Sequence, residues 1–327
     1  AAASLGETEA TRRALVEAHA LRGERSEALA LLSSFEQPAD QDWLVHQLFT
    51  VGAHDEIAEL LAATPDGETF NEDSVYFIAY VLMDRGNLAG ASDLAERRLQ
   101  RPGLPGEARA ELLDIRASVL HYQGSYREAD LLFSEVIELY KENNKHWDGV
   151  ANALRNRALN RLQFGLYREV LPDLLGSLAL YEERGARIFY AQTLVMLSEV
   201  YLELADYDRA LDALTESVAI FEQVQVQPFY VHALANLAVL YVERPTGFSP
   251  VLAPKYAQRA LALSEALNSK LYSAMAFIAA SRVSRFAGDA SAAAGYAERA
   301  VRAAEEGGLL ELTIKARAAR ALAAEGS

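Results

Sequence analysis

Six histidines, His19, His46, His54, His121, His146 and His232, are the first candidates for metal ligation or acid/base chemistry. A helix grips zinc through two histidines four residues apart, as in H-E-x-x-H, and no two of the six stand at that spacing. The adjacent carboxylates Glu182 with Glu183 and Glu305 with Glu306 fail for another reason. Neighbours on a helix diverge by about 100° and cannot flank one scissile bond. The stretch "ADYD" (205–208) offers two aspartates to a cation, yet acidic residues at that place are also what a helix N-terminus favours. No G-x-S-x-G elbow, P-loop or G-x-G-x-x-G occurs, and the glycines of "RPGLPG" (101–106) read as a connector. The absence of cysteine removes thiolate nucleophiles and cysteine-ligated metal. The chain therefore reads as a non-enzyme with no cofactor and no metal centre.

What the residues do specify is a repeated element. In "ELADYDRALDALTESVAIFEQV" (203–224), Tyr207, Ala210, Leu211, Leu214, Val218 and Phe221 recur at spacings of three or four and share one face of a helix. The same pattern returns along the chain, with a small or aliphatic anchor at Ala28, Ile57, Ala91, Ala129, Val170, Ala210, Ala253 and Ala293. The anchors are 29 to 43 residues apart, a period that signals stacked supersecondary units. Turns such as "YQGSYREA", "QFGLYREV" and "RFAGDASA" precede most anchors, so each unit is helix, turn, helix. Ala117, Ala158, Ser198, Ala238 and Ser281 fall on the first helices, opposite the anchors, where small side chains allow close approach. Pro172 and Pro254 lie just inside second helices and predict late starts or kinks. The longer loop before Ala253, "ERPTGFSP", predicts a surface bulge ending in a Ser249 cap and a first-turn Pro250.

The composition limits the partners. A net charge of −15 repels a phosphate backbone, which excludes nucleic acid as a direct partner. No basic-then-apolar leader is visible, and apolar runs fall short of the ~18 residues of a membrane span, so a cytoplasmic chain with no membrane contact is expected.

In "YQGSYREADLLFSEVIELY", "FGLYREVLPDLLGSLALY" and "LADYDRALDALTESVAIF", the turn, the aromatic, the small anchor and the following bulky residue stand in an order that resembles the tetratricopeptide repeat (TPR) family. The units of about 40 residues exceed the usual ~34, and such long units resemble those of large bacterial signalling regulators. The resemblance implies an all-α fold, a right-handed α-solenoid superhelix of helix-turn-helix repeats. It would span residues 1–327 as a single array, with eight repeats over about 9–306, divergent ones over 9–70, and an extra or capping helix at 309–325.

The same resemblance implies a concave groove lined by the first helices. Its candidate ligand contacts are Asn152, Arg155, Asn156, Gln192, Met196, Glu199, His232, Asn236, Glu243, Arg282 and Arg285, expected to converge on one channel. Asn156 and Asn236 occupy matching places in their units and resemble the asparagines by which peptide-binding members hold a ligand backbone, since an amide offers both donor and acceptor. Inward asparagines can equally bridge neighbouring helices. The arginines could fork onto ligand carboxylates, and the glutamates would favour basic groups. The expected function is a scaffold that binds a protein or peptide segment, which could be an intramolecular domain of a longer parent chain. The alternative is a sensing domain of a larger bacterial transcriptional or signalling regulator, responding to a peptide or small-molecule effector.

Overall fold

The structure is a computed structural model. It describes residues 9–21, 25–33, 35, 40–50, 54–63, 70–84, 87–142, 147–163, 165, 167–224, 227–244, 249–267, 269–307 and 309–325. Every regular element among them is a helix. The chain divides into two compact units, Ala1–Gln163 and Phe164–Ser327.

The first unit holds α1 (Glu9–Leu21), α2 (Arg25–Leu32), α3 (Gln41–Thr50), α4 (His54–Ala63), α5 (Glu72–Asp84), α6 (Leu88–Leu99), α7 (Gly106–Tyr122), α8 (Tyr126–Glu142) and α9 (Trp147–Leu162). The second holds α10 (Tyr167–Glu183), α11 (Arg187–Glu203), α12 (Tyr207–Val224), α13 (Gln227–Glu243), α14 (Leu252–Leu267), α15 (Lys270–Phe286), α16 (Ala290–Glu306) and α17 (Leu310–Glu325). Odd-numbered helices are first helices and even-numbered ones second helices. The pairs α1–α2, α3–α4, α5–α6, α7–α8, α11–α12, α13–α14 and α15–α16 pack as hairpins, and α5, α7, α9, α13, α15 and α17 each pack on both helices before them. This is the TPR-like stacking that the period implies.

Helix length follows the period. Helices α1 to α6 have 8 to 13 residues, whereas α7 to α17 have 16 to 18. The long repeats thus spend their extra residues on about one more turn per helix. All eight anchors are buried, and so are Ala117, Ala158, Ser198, Ala238 and Ser281. Phe133, Leu174 and Leu214, each four residues after its anchor, are buried as well, and Phe133 packs with Ala117 and Ala129.

Most of the described turns use glycine at positive φ, as at Gly124, Gly165 and Gly288. Position 205 is the exception. Ala205 holds φ +57°, and its turn closes with Ala205 N donating to Leu202 O at 3.0 Å and Asp206 N to Tyr201 O at 2.8 Å. Gly124 and Gly288 end their helices with the same pair of bonds, so the turn is kept at a Cβ's steric cost. Ala205→Gly is expected to stabilise the second unit by a few tenths to about 1 kcal/mol, the relief of strain being offset by a more flexible unfolded chain. A higher thermal midpoint for the variant would show it.

The two prolines resolve differently. Helix α14 begins one residue before Ala253, where α8, α10, α12 and α16 begin three before their anchors, so Pro254 falls in a first turn that needs no donor there. Ser249 caps it, its Oγ accepting from Leu252 N at 3.1 Å. The adjoining loop, 245–248, lies outside the described residues. Helix α10 starts on time and runs through Pro172, which leaves the carbonyl four residues back without its helical donor.

Helix α17 packs on α15 and α16, the place of a ninth first helix. Ala321 follows the anchor Ala293 by 28 residues, as Ser198, Ala238 and Ser281 follow theirs. Where those repeats bury Leu194, Leu234 and Phe277, α17 carries exposed Arg317, paired with Glu305 at 2.6 Å. Ile314, on the same helix, is 63% exposed.

Candidate functional site

Two polar clusters lie on first helices, one in each unit. In the first unit Asp114 of α7 is only 5% exposed. It accepts from Tyr76 Oη of α5 at 3.3 Å and from Asn156 Nδ2 of α9 at 3.3 Å, so one carboxylate joins three consecutive first helices. Burial pushes Asp114 up to about 6, against the Asn156 and Tyr76 bonds and the Arg155 charge that favour its ionised form. Burial and the nearby Asp114 also push the Tyr76 phenol upward. About two turns along α7, His121 Nδ1 meets Asn160 Oδ1 at 3.1 Å, and Asn160 Nδ2 donates to Tyr126 O at 2.8 Å.

In the second unit Glu199 of α11 is the centre. Its Oε1 is 2.6 Å from His232 Nε2 and accepts from Asn236 Nδ2 at 3.2 Å, both on α13. Burial works against the carboxylate, but His232, Lys315 and Asn236 outweigh it and hold Glu199 down at about 2. Glu243 of α13 takes Arg282 Nη1 of α15 at 2.7 Å. Arg285 lays its guanidinium over the Phe286 ring, 4.6 Å from the centroid.

The candidate residues are therefore distributed as follows. Asn152, Arg155 and Asn156 lie on α9 of the first unit, and the other eight on α11, α13 and α15 of the second. Asn156 and Asn236 do bridge helices, each through Nδ2 to a carboxylate on the preceding first helix, and Oδ1 of each takes no hydrogen bond among the described residues. Arg282 spends one of its donors on Glu243, and Met196 is 7% exposed, so it serves packing more than contact. Gln192 and Asn152 are partly exposed. The sequence pattern singled out no residue of α17, and so not Lys315, because 309–325 read as an extra or capping helix.

Other acids and histidines take structural parts. Asp206 accepts from Arg209 N at the start of α12, and Asp208 pairs with Arg244 at 3.1 Å. Glu305 and Glu306 pair separately, with Arg317 and Lys270. His46 meets Gln47, and His146 lies outside the described residues. No group of three or more metal-binding side chains occurs among the described residues. None of the described helices is long and apolar enough to cross a membrane.

Stacked antiparallel helix pairs with small anchors define an α-solenoid of the TPR type. No protein-family profile and no curated protein sequence matches the chain. Solved structures share its fold. A Rap protein complexed with competence and sporulation factor superposes with a TM-score of 0.60 at 15% identity, over 97% of this chain and 99% of that one. Cut9, in the Cut9–Hcn1 hetero-tetramer of the APC/C, gives 0.60 at 12% identity, over 96% of this chain and 57% of that one. A signal-transduction ATPase with numerous domains and a TPR sensor, from Pyrococcus horikoshii, gives 0.57 at 13% identity, over 95% of this chain and 52% of that one.

Proposed function

We propose that the chain is a non-catalytic scaffold whose first-helix faces hold an extended peptide segment of a partner protein. The observation that carries this reading is the matched pair Asn156 and Asn236. Each amide is oriented by its own Nδ2 bond to a carboxylate, which leaves Oδ1 to accept from a ligand N–H whatever the side chain. An oriented acceptor costs less entropy on binding than a free one. The mixed apolar, amide and charged surroundings suit an extended chain better than a small enclosed substrate. The Rap protein complexed with competence and sporulation factor is consistent with this reading.

A second reading is favoured by the TPR sensor of the Pyrococcus ATPase, which is one part of a longer signalling chain. On that reading the array is a sensing domain, and ligand binding shifts it between two curvatures because each repeat contacts only its neighbours.

The test is affinity capture of endogenous partners by the intact chain and by the double variant Asn156→Ala, Asn236→Ala. The variant should keep its helical circular dichroism and lose captured partners at least tenfold. Equal capture by a folded variant would refute the groove reading.

A further inference from the structure

Helix α17 leaves open a face that α11, α13 and α15 bury. Its positions follow from setting Ala321 beside Ser198, Ala238 and Ser281, which are all buried. Seven residues before those three, Ala191, Val231 and Ala274 are fully buried, and three residues before them Val195, Ala235 and Ile278 are buried too. On α17 the same places hold Ile314, Ala318 and Ala321, and all three are exposed. Leu322, 41% exposed, joins them in one sector of about 100°.

In α15 the equivalent face is covered from two sides. Ser281 Oγ donates to Ala293 O of α16 at 2.8 Å, and Ala274 and Ile278 share a core cluster with Ala300, Val301 and Ala304 of α16 and with Leu312 and Ala316 of α17. The open face of α17 is therefore a helix-packing surface by its place in the repeat, whereas lone apolar side chains on a surface carry no such meaning.

The pattern on this face also fits one particular cover. Ile314 and Leu322 stand eight residues apart with Ala318 midway, so the stripe reads alike in both directions. A second copy of α17 laid antiparallel sets Ile314 against that copy's Leu322 and Ala318 against Ala318, and the alanines let the two helices approach closely. Such a contact is isologous and closes at two chains. A head-to-tail contact with α1 has less to gain, because the described exposed residues of α1 include Ala10, Thr11, Ala14 and Glu17 but no large apolar side chain. Charge points the same way. From Lys270 onward the chain has eight Lys or Arg and six Asp or Glu, a balance of +2 within a total of −15, so two copies repel least when they meet here.

We propose that α17 is a self-association surface, and that two copies of the chain pair through it, antiparallel about a two-fold axis. The pairing is independent of the peptide-groove reading. Glu311 and Glu325 bound the stripe in the sequence, leaving about two and a half turns of contact from Ile314 to Leu322. So short a contact falls at or below the ~1,200 Å² of a stable interface, and the dimer is weak and dependent on concentration.

Sedimentation equilibrium of the intact chain over a roughly hundredfold range of concentration should show the mean mass climb from one chain toward two. Ile314→Glu and Leu322→Glu should each weaken association at least about tenfold. Both positions are exposed, so the dilute variants should keep the wild-type circular dichroism and thermal midpoint. The chain has no cysteine, so Ala318→Cys supplies a single thiol through which a short bis-maleimide should join two copies. Ala294→Cys, at an exposed site on α16, should not be joined. A single-chain mass throughout, association unchanged in both glutamate variants, equal joining through the two thiols, or growth past two chains would each overturn the proposal. A single-chain mass combined with loss of captured partners in Ile314→Glu would assign the face to another protein and remove the second copy from it.

Discussion

Asp114→Asn should make the first unit more stable at pH 8 by about 2–3 kcal/mol and flatten its pH dependence. The sign follows from the direction of the shift. Asp114 titrates at about 6 in the folded chain, held up by burial, against an ordinary aspartate value near ~4 when unfolded. A carboxyl whose folded value is raised contributes stability that is complete below the unfolded value and is lost as pH rises through the folded one. Roughly two pH units at ~1.4 kcal/mol each give the size. The asparagine keeps an acceptor oxygen for Tyr76 Oη or Asn156 Nδ2 while removing the buried charge. Hydrogen exchange at the amides of α7 and α9, measured at pH 5 and pH 8, reads the effect where it occurs. The wild type should lose protection between these values and the variant should not. A variant less stable than wild type at pH 8 would mean that Arg155 compensates the charge in full. The cost tolerated at this carboxylate is itself informative, because a buried charge joining α5, α7 and α9 is retained against its own desolvation.

The repeat was legible in the sequence because its cause is local. An anchor must be small wherever two helices cross closely, a bulky residue must follow one turn later, and a turn must precede, so the pattern recurs at fixed spacing whatever lies around it. Ala129 with Phe133, Val170 with Leu174, and Ala210 with Leu214 are three copies of one packing solution, all buried. Ala205 is legible too, since a turn that elsewhere uses glycine had to bend the same way. The polar partners were not legible in the same way. Asn156 meets Asp114 across 42 residues and Asn236 meets Glu199 across 37, so no single spacing marks the pairs. They arise from the lateral offset between successive first helices, which depends on the helix lengths and turns between them. Lys315 is harder still. Its place becomes visible only when α17 is aligned with the other first helices by the 28-residue interval from Ala293 to Ala321.

Phe133→Ala should cost about 3–5 kcal/mol, the range for removing a buried aromatic ring and leaving a cavity. Phe133 is 2% exposed and packs with Ala117, Ala129, Leu120 and Leu132 between α7 and α8. Two of these neighbours are alanines with no rotamer to change, which limits how far the cavity can collapse. The distribution of the loss separates two descriptions of the fold. In a nearest-neighbour array the damage stays with α7 and α8 and falls off in α5, α6 and α9, while α15 and α16 keep their protection. In one cooperative globule every slow amide would lose the same free energy. Hydrogen exchange on Phe133→Ala, with Leu214→Ala as its counterpart between α11 and α12, distinguishes them: each variant should weaken its own unit and spare the other. The same locality lets ligand groups on one pair of first helices be altered without unfolding the rest, which is what the Asn156 and Asn236 substitutions require. Uniform loss across both units would remove that independence, and would turn loss of capture by the asparagine variant into a possible stability effect that only a matched stability measurement could separate from lost contact.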